Sequence, residues 1–137
     1  MRRTLLLSSL AVLALVGYTL LQGVGTSNAK EKESTALSHD VYFSLKDPSP
    51  VAKDALVLAC KKYLSKHEGE VFFATGKRVE SLKRDVNDVE FDVALHIVFK
   101  DMASYEKYAV AKRHQQFIDE NKDNWKKVRV FDSIVER

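Results

Sequence analysis

The segment His39-Asp-Val-Tyr-Phe-Ser-Leu-Lys46 sets His39, Val41, Phe43 and Leu45 on one side of an extended chain and Asp40, Tyr42, Ser44 and Lys46 on the other. That period of two is the mark of a half-buried strand. Asp47-Pro-Ser-Pro50 breaks it. Ser49 can cap, and Pro50 can fill, the first turn of a helix whose Ala52, Ala55, Leu56, Ala59, Cys60, Tyr63 and Leu64 form one stripe, halted near Gly69. Val71 to Val79 is β-rich, and Gly76 within it suggests a bulge or a close backbone approach. The charged stretch Glu80 to Glu90 lacks an apolar face and reads as a solvated loop. Phe91 to Phe99 is a third strand, apolar on both faces. Asp101 caps a second helix carrying Met102, Tyr105, Tyr108, Ala109, His114, Phe117 and Ile118, with a change of phase near Ala111 that predicts a kink or two segments. Lys127 to Val135 closes the chain as a fourth strand.

The order βαββαβ predicts an α+β fold, the ferredoxin-like plait, with a four-stranded antiparallel sheet ordered 4-1-3-2 and both helices on one face. Ala94, Val98, Tyr42 and Phe131 then point to the uncovered face, which asks for a partner. Two such sheets packed face to face make a dimeric α+β barrel, an isologous homodimer. Strand one is taken to run parallel to strand three and antiparallel to strand four, which gathers His39, Asp132, Val93 and the late part of the second helix at one end.

Composition narrows the function classes. The chain has 137 residues, 45% hydrophobic and 30% charged, with one cysteine, which suits one folded domain and excludes collagenous, low-complexity and disulfide-scaffold classes. Cys60 has no partner in the chain and reads as a small buried hydrophobe. From Lys30 onward 20 basic side chains face 19 acidic ones, no footprint for nucleic acid. The basic run Lys112-Arg113 with Lys122, Lys126, Lys127 and Arg129 is interrupted by Asp119, Glu120 and Asp123, and reads as a solvated face.

The first 29 residues read as an address. Arg2 and Arg3 precede an uncharged apolar stretch from Thr4 to about Val24, and Ser27 and Ala29 place small residues before a cleavage point after Ala29. Cleavage leaves 108 residues, Lys30 to Arg137. The competing reading is an uncleaved anchor, the only membrane contact expected, since about 20 apolar residues can span a bilayer. Either way the folded part is exported, to the periplasm, cell envelope or beyond. Residues 30–37 read as a spacer and 38–137 as the domain.

Strand parity puts His39 and Asp132 on the helix-covered face, so a contact between them is feasible. With Tyr108 and His114 they can line an apolar cavity formed with Val41, Phe43, Val93, Leu95, Phe117, Trp125, Val128 and Val130, the usual form of a small-molecule site. A His held by a carboxylate can act as a general base, and a Tyr hydroxyl can donate to a developing oxyanion. The bland alternative is two half-buried histidines bonded to backbone or to Asp132. A facial metal triad of the two histidines with Asp132 has no supporting close ligand spacing, so neither a metal nor a cofactor is expected. His67 reads as a solvated capping residue at a helix end, and His96 as a residue of the opposite, partner-facing sheet surface.

Taken together, His39-Asp-Val-Tyr-Phe-Ser-Leu-Lys46, Gly76, Phe99-Lys-Asp-Met-Ala-Ser-Tyr-Glu-Lys-Tyr108, His114-Gln-Gln-Phe117 and Trp125-Lys-Lys-Val-Arg-Val-Phe-Asp132 resemble the stress-responsive A/B barrel domain of the dimeric α+β barrel superfamily. The resemblance runs from about His39 to Val135. It implies a homodimer with a barrel between the sheets and a small apolar cavity between sheet and helices in each protomer. One plant branch of that family cyclises linear polyketides by aldol condensation, and the resemblance carries its first-strand His to His39, its helix Tyr to Tyr108 and its later His to His114. A further His of that cyclase stands at Val93 here, and the usual His-Pro before the last His is Ala111-Lys112. The reading is an exported homodimer binding a small apolar or aromatic molecule. Its rival is a cofactor-free lyase, cyclase or monooxygenase-like enzyme using His39 or His114 as base and Tyr108 as oxyanion donor. A third reading is a structural stress protein with a filled core.

Overall fold

The computed structural model describes residues 35–136. The leader or anchor expected at 1–29, and the first part of the spacer, lie outside the described residues. Four strands and three helices follow in the order β1 (Ala36–Leu45), α1 (Pro50–Leu64), β2 (Glu70–Lys77), β3 (Val93–Phe99), α2 (Met102–Ala109), α3 (Lys112–Asn121) and β4 (Trp125–Val135), with a 3-10 turn over Lys122–Asn124 before β4. The sheet has the order β2-β3-β1-β4. It is antiparallel throughout, and the ferredoxin-like α+β fold read from the sequence is the fold observed.

One expected direction is wrong. β3 runs antiparallel to β1, with Leu37 opposite Phe99 and Phe43 opposite Val93. The α1 crossover makes β2 parallel to β1, and the reversal from β2 into β3 turns the chain back. Val93 therefore lies at the far end of the sheet from His39, which pairs with Ile97 on one side and Asp132 on the other. β1 also begins earlier than expected, at Ala36, with Leu37 buried inside the stretch read as spacer.

Local chemistry explains the element ends. Ser49 Oγ accepts from the Ala52 amide at 3.3 Å, Pro50 opens α1, and Lys61 and Lys62 occupy its last turn, where positive charge suits the helix dipole. Leu56, Cys60, Tyr63 and Leu64 bury the α1 stripe, whereas Ala55 is exposed. Asp101 Oδ1 accepts from the Ser104 amide at 2.8 Å and caps α2. Gly76 marks no bulge: it sits in register opposite Ala94 with open space around it, and the irregularity falls between Glu70 and Phe72. The close approach is at Gly69, where φ is +82° and a Cβ would stand 2.1 Å from Ser104 Oγ.

The second helix is broken, as the phase change predicts. α2 ends at Ala109 and α3 starts at Lys112 after an extended Ala111. Arg113 is exposed, as a solvated face requires, and it also donates to the carbonyls of Lys62 and Ser65 at 2.8 and 2.9 Å, tying α3 to the end of α1.

The sheet face away from the helices carries Tyr42, with Phe91, His96 and Phe131 packed edge-on around it at 5.0, 5.9 and 5.8 Å. Phe72 and Phe131 are half exposed there. The loop between β2 and β3 is solvated as expected, yet it is pinned. Asp88 pairs with Arg129 of β4, and Lys53 reaches Glu80 and Asp92 at 3.3 and 3.4 Å.

Candidate functional site

A cavity of about 250 Å³ lies between the sheet and the helices. β1 brings His39, Val41 and Phe43, β3 brings Leu95, and β4 brings Trp125, Val128 and Val130; Tyr108 comes from α2, and His114 and Phe117 from α3. Two residues expected in the lining stand outside it. Val93 is fully buried opposite Phe43 and contributes no surface to the cavity. Asp132 sits behind His39 rather than in the wall. Leu64, Tyr105 and Ile118 complete the cavity. Tyr105 was legible, since it lies three residues before Tyr108 and so on the same helix face.

His39 is buried, and its Nδ1 meets Asp132 Oδ1 at 2.6 Å across the β1–β4 ladder. A carboxylate only accepts, so Nδ1 carries the proton and donates it. The ring packs against Tyr105 and Tyr108 with centroids 5.3 and 5.7 Å away. The helix break places His114. With α2 ended, the Ala109 carbonyl accepts from His114 Nδ1 at 3.0 Å and from Gln115 Nε2 at 3.3 Å. His114 stacks on Tyr108 at 4.7 Å. Burial pulls its pKa below the ordinary value of 6.5, against the carbonyl bond that supports the charged form, so the imidazole is neutral at neutral pH.

Tyr108 is 2% exposed, and its hydroxyl has no hydrogen-bond partner among the described residues. Burial raises its pKa far above the phenolic range, which keeps it a neutral donor. Tyr105 is shifted upward too, first by burial and then by the charge of Asp132. His67 is less solvated than expected: Nε2 donates to the Tyr63 carbonyl at 2.9 Å, while the ring packs edge-on against Tyr108 at 4.9 Å. His96 lies on the opposite sheet face, as its parity requires, with Nδ1 2.5 Å from Asp40. Burial pushes the Cys60 thiol up to about 12 and makes it inert.

The cavity wall brings two tyrosines and two imidazoles together among apolar side chains. His39, oriented by Asp132, has the arrangement of a general base, and Tyr108 that of an oxyanion donor. Both histidine Nδ1 atoms are engaged by protein oxygens, and among the described residues no three side chains gather as a metal site.

A ferredoxin-like plait with a histidine-rich cavity under its helices defines the class. Residues 37–135 match the family described as the stress responsive A/B barrel domain, and the chain belongs to that family. Among solved structures, a Dabb family protein with a ferredoxin-like fold from Mesorhizobium loti aligns at TM-score 0.63 and 20% identity, over 76% of this chain and 100% of its own. A dimeric ferredoxin-like protein of unknown function from Thermobifida fusca aligns at 0.63 and 12% identity, over 75% and 93%. The hydroxynitrile lyase from Passiflora edulis aligns at 0.60 and 17% identity, over 74% and 94%. At these identities the likeness is one of fold. Comparison with curated proteins gives no match. No helix among the described residues is long and apolar enough to cross a membrane.

Proposed function

We propose that this chain is an exported homodimer that binds a small apolar or aromatic molecule in the cavity between sheet and helices. The observation that carries the binding reading is the cavity itself, about 250 Å³ walled by Val41, Phe43, Leu95, Phe117 and Trp125 with His39 and His114 among them. The cavity's size sets the scale. An apolar cavity of about 150 Å³ takes benzene, so this one suits a substituted single ring or a short chain.

Support for the dimer comes from the half-exposed Phe72 and Phe131 on the face opposite the helices, and from the relative described as dimeric. Support for export is the sequence of the first 29 residues. Native mass spectrometry of protein purified from the envelope of cells expressing the full chain tests all three points. The expected species is a dimer lacking residues 1–29 and carrying an extra organic mass. A bare protein that takes up no small aromatic on titration refutes the binder, and a monomer refutes the dimer.

The 2.6 Å contact between His39 and Asp132 favours a second reading, a cofactor-free lyase or cyclase. Tyr108→Phe and His114→Ala abolish turnover if the site is catalytic, and weaken ligand retention only modestly if it is a binder.

A further inference from the structure

Residues 78–92 join β2 to β3, a connection for which a hairpin needs about 2–5 residues. The extra chain does not stay over its own hairpin. It reaches β4, two strands beyond β3, where Asp88 pairs with Arg129. Arg129 Nη2 donates to the Glu90 carbonyl at 3.3 Å, and Ser44 Oγ of β1 donates to the same carbonyl. Arg78 Nε, at the start of the loop, donates to the Phe91 carbonyl at 2.9 Å. The loop is thereby fixed as a rim at one end of the sheet face that carries Tyr42, Arg129 and Phe131, the face away from the helices. An open cavity of about 470 Å³ occupies the corner between rim and sheet, with Tyr42, Phe91 and Phe131 in its wall and Val86 on its rim. Val86 is 85% exposed, more than any other large apolar side chain among the described residues, and Val79, Leu82 and Val89 of the same loop are exposed with it. Aliphatic side chains held out together on a fixed backbone mark a contact surface.

We infer that this rim and the aromatic sheet face form one interface, and that a second copy of this chain seats in the corner and covers Val86. Charge selects that occupant. Lys83 and Arg84 are interspersed with Asp85, Asp88 and Glu90 along the rim. A nucleic acid or an anionic membrane would meet carboxylates there, whereas a two-fold copy brings its own basic groups to them. A rim already fixed also loses little conformational freedom on docking. This inference rests on the homodimer reading above, and adds to it the segment that completes the interface.

Protein purified from cells expressing the full chain is measured by sedimentation equilibrium over a range of concentrations, as wild type and as Val86→Asp, Val86→Lys and Leu58→Asp. Leu58 is the control, exposed on the outer side of α1. The expected result is a wild-type dimer whose dissociation constant rises at least about tenfold in both Val86 variants, because a two-fold axis places each substitution in the interface twice. Leu58→Asp should leave it unchanged. Circular dichroism should match wild type throughout, since neither side chain is buried.

A wild-type dimer that either Val86 variant leaves intact, or that Leu58→Asp weakens as much, overturns this inference and leaves the homodimer standing. A wild-type monomer overturns both, and gives the corner to a different partner.

Discussion

Removing the Tyr108 hydroxyl should stabilise the ligand-free protein. Tyr108 and Tyr63 are both buried, at 2% and 6% exposure, but their hydroxyls have opposite fortunes. Tyr63 Oη donates to Glu120 Oε2 at 2.6 Å and accepts from Lys62 Nζ at 2.5 Å, whereas Tyr108 Oη has no partner among the described residues. Tyr→Phe keeps the ring and its packing, so each substitution isolates an oxygen. An unpaired buried polar group costs about 1–3 kcal/mol, and a satisfied hydrogen bond to a charged group contributes about 1.5–3 kcal/mol. The expected result is stabilisation of about 1 kcal/mol for Tyr108→Phe and a loss of about 1–2 kcal/mol for Tyr63→Phe, whose ion partners are solvated. For a domain of this size 1 kcal/mol moves Tm by roughly 4–8 °C, well within the reach of calorimetry or urea melts. Destabilisation of Tyr108→Phe by about 1 kcal/mol or more would mean that the hydroxyl is bonded in the free protein and would refute this reasoning.

Other perturbations probe other links. Gly69→Ala meets both a left-handed φ and a Cβ contact with Ser104, whose amide and hydroxyl are held by the α2 cap; a loss of about 3–4 kcal/mol is expected in urea melts, from αL strain plus overpacking. His114 has a lowered folded pKa, so the unfolded chain takes up its proton first; stability is complete above about pH 6.5 and erodes as pH falls below it, and urea midpoints of His114→Gln should show a shallower acid slope than wild type. Phe131→Glu places a charge on the sheet face away from the helices; if that face is the dimer interface, light scattering should read a monomer, with the fold intact by circular dichroism.

The legible part of this molecule was its parity. Alternation in β1 and β4 alone put His39 and Asp132 on one face, and the observed pairing joins them directly. That inference survived a wrong direction for β3 because it needed only the β1–β4 register. Val93 depended on β3 and was misplaced with it. The α2–α3 break was visible as a phase change, but its consequence was not, because nothing in a hydrophobic pattern says that an unpaired carbonyl at Ala109 will capture a side chain five residues on. Gly69 was legible as a helix stop and not as a contact, since Ser104 is remote in sequence.

The break ties the fold to the site. In an unbroken helix the Ala109 carbonyl would bond the amide of residue 113 and the His114 ring would have no fixed acceptor. Ending α2 at Ala109 frees that carbonyl, and the imidazole that takes it lies 4.7 Å from the ring of Tyr108, which is anchored by the preceding segment. After the redirection through Ala111, α3 packs on α1, where Arg113 fastens it. Val128 and Val130 of β4 are partly exposed where they line the cavity. The same irregularity thus fixes the hydrogen-bonding sense of an imidazole that lines the cavity and, through Arg113, the docking of α3 on α1.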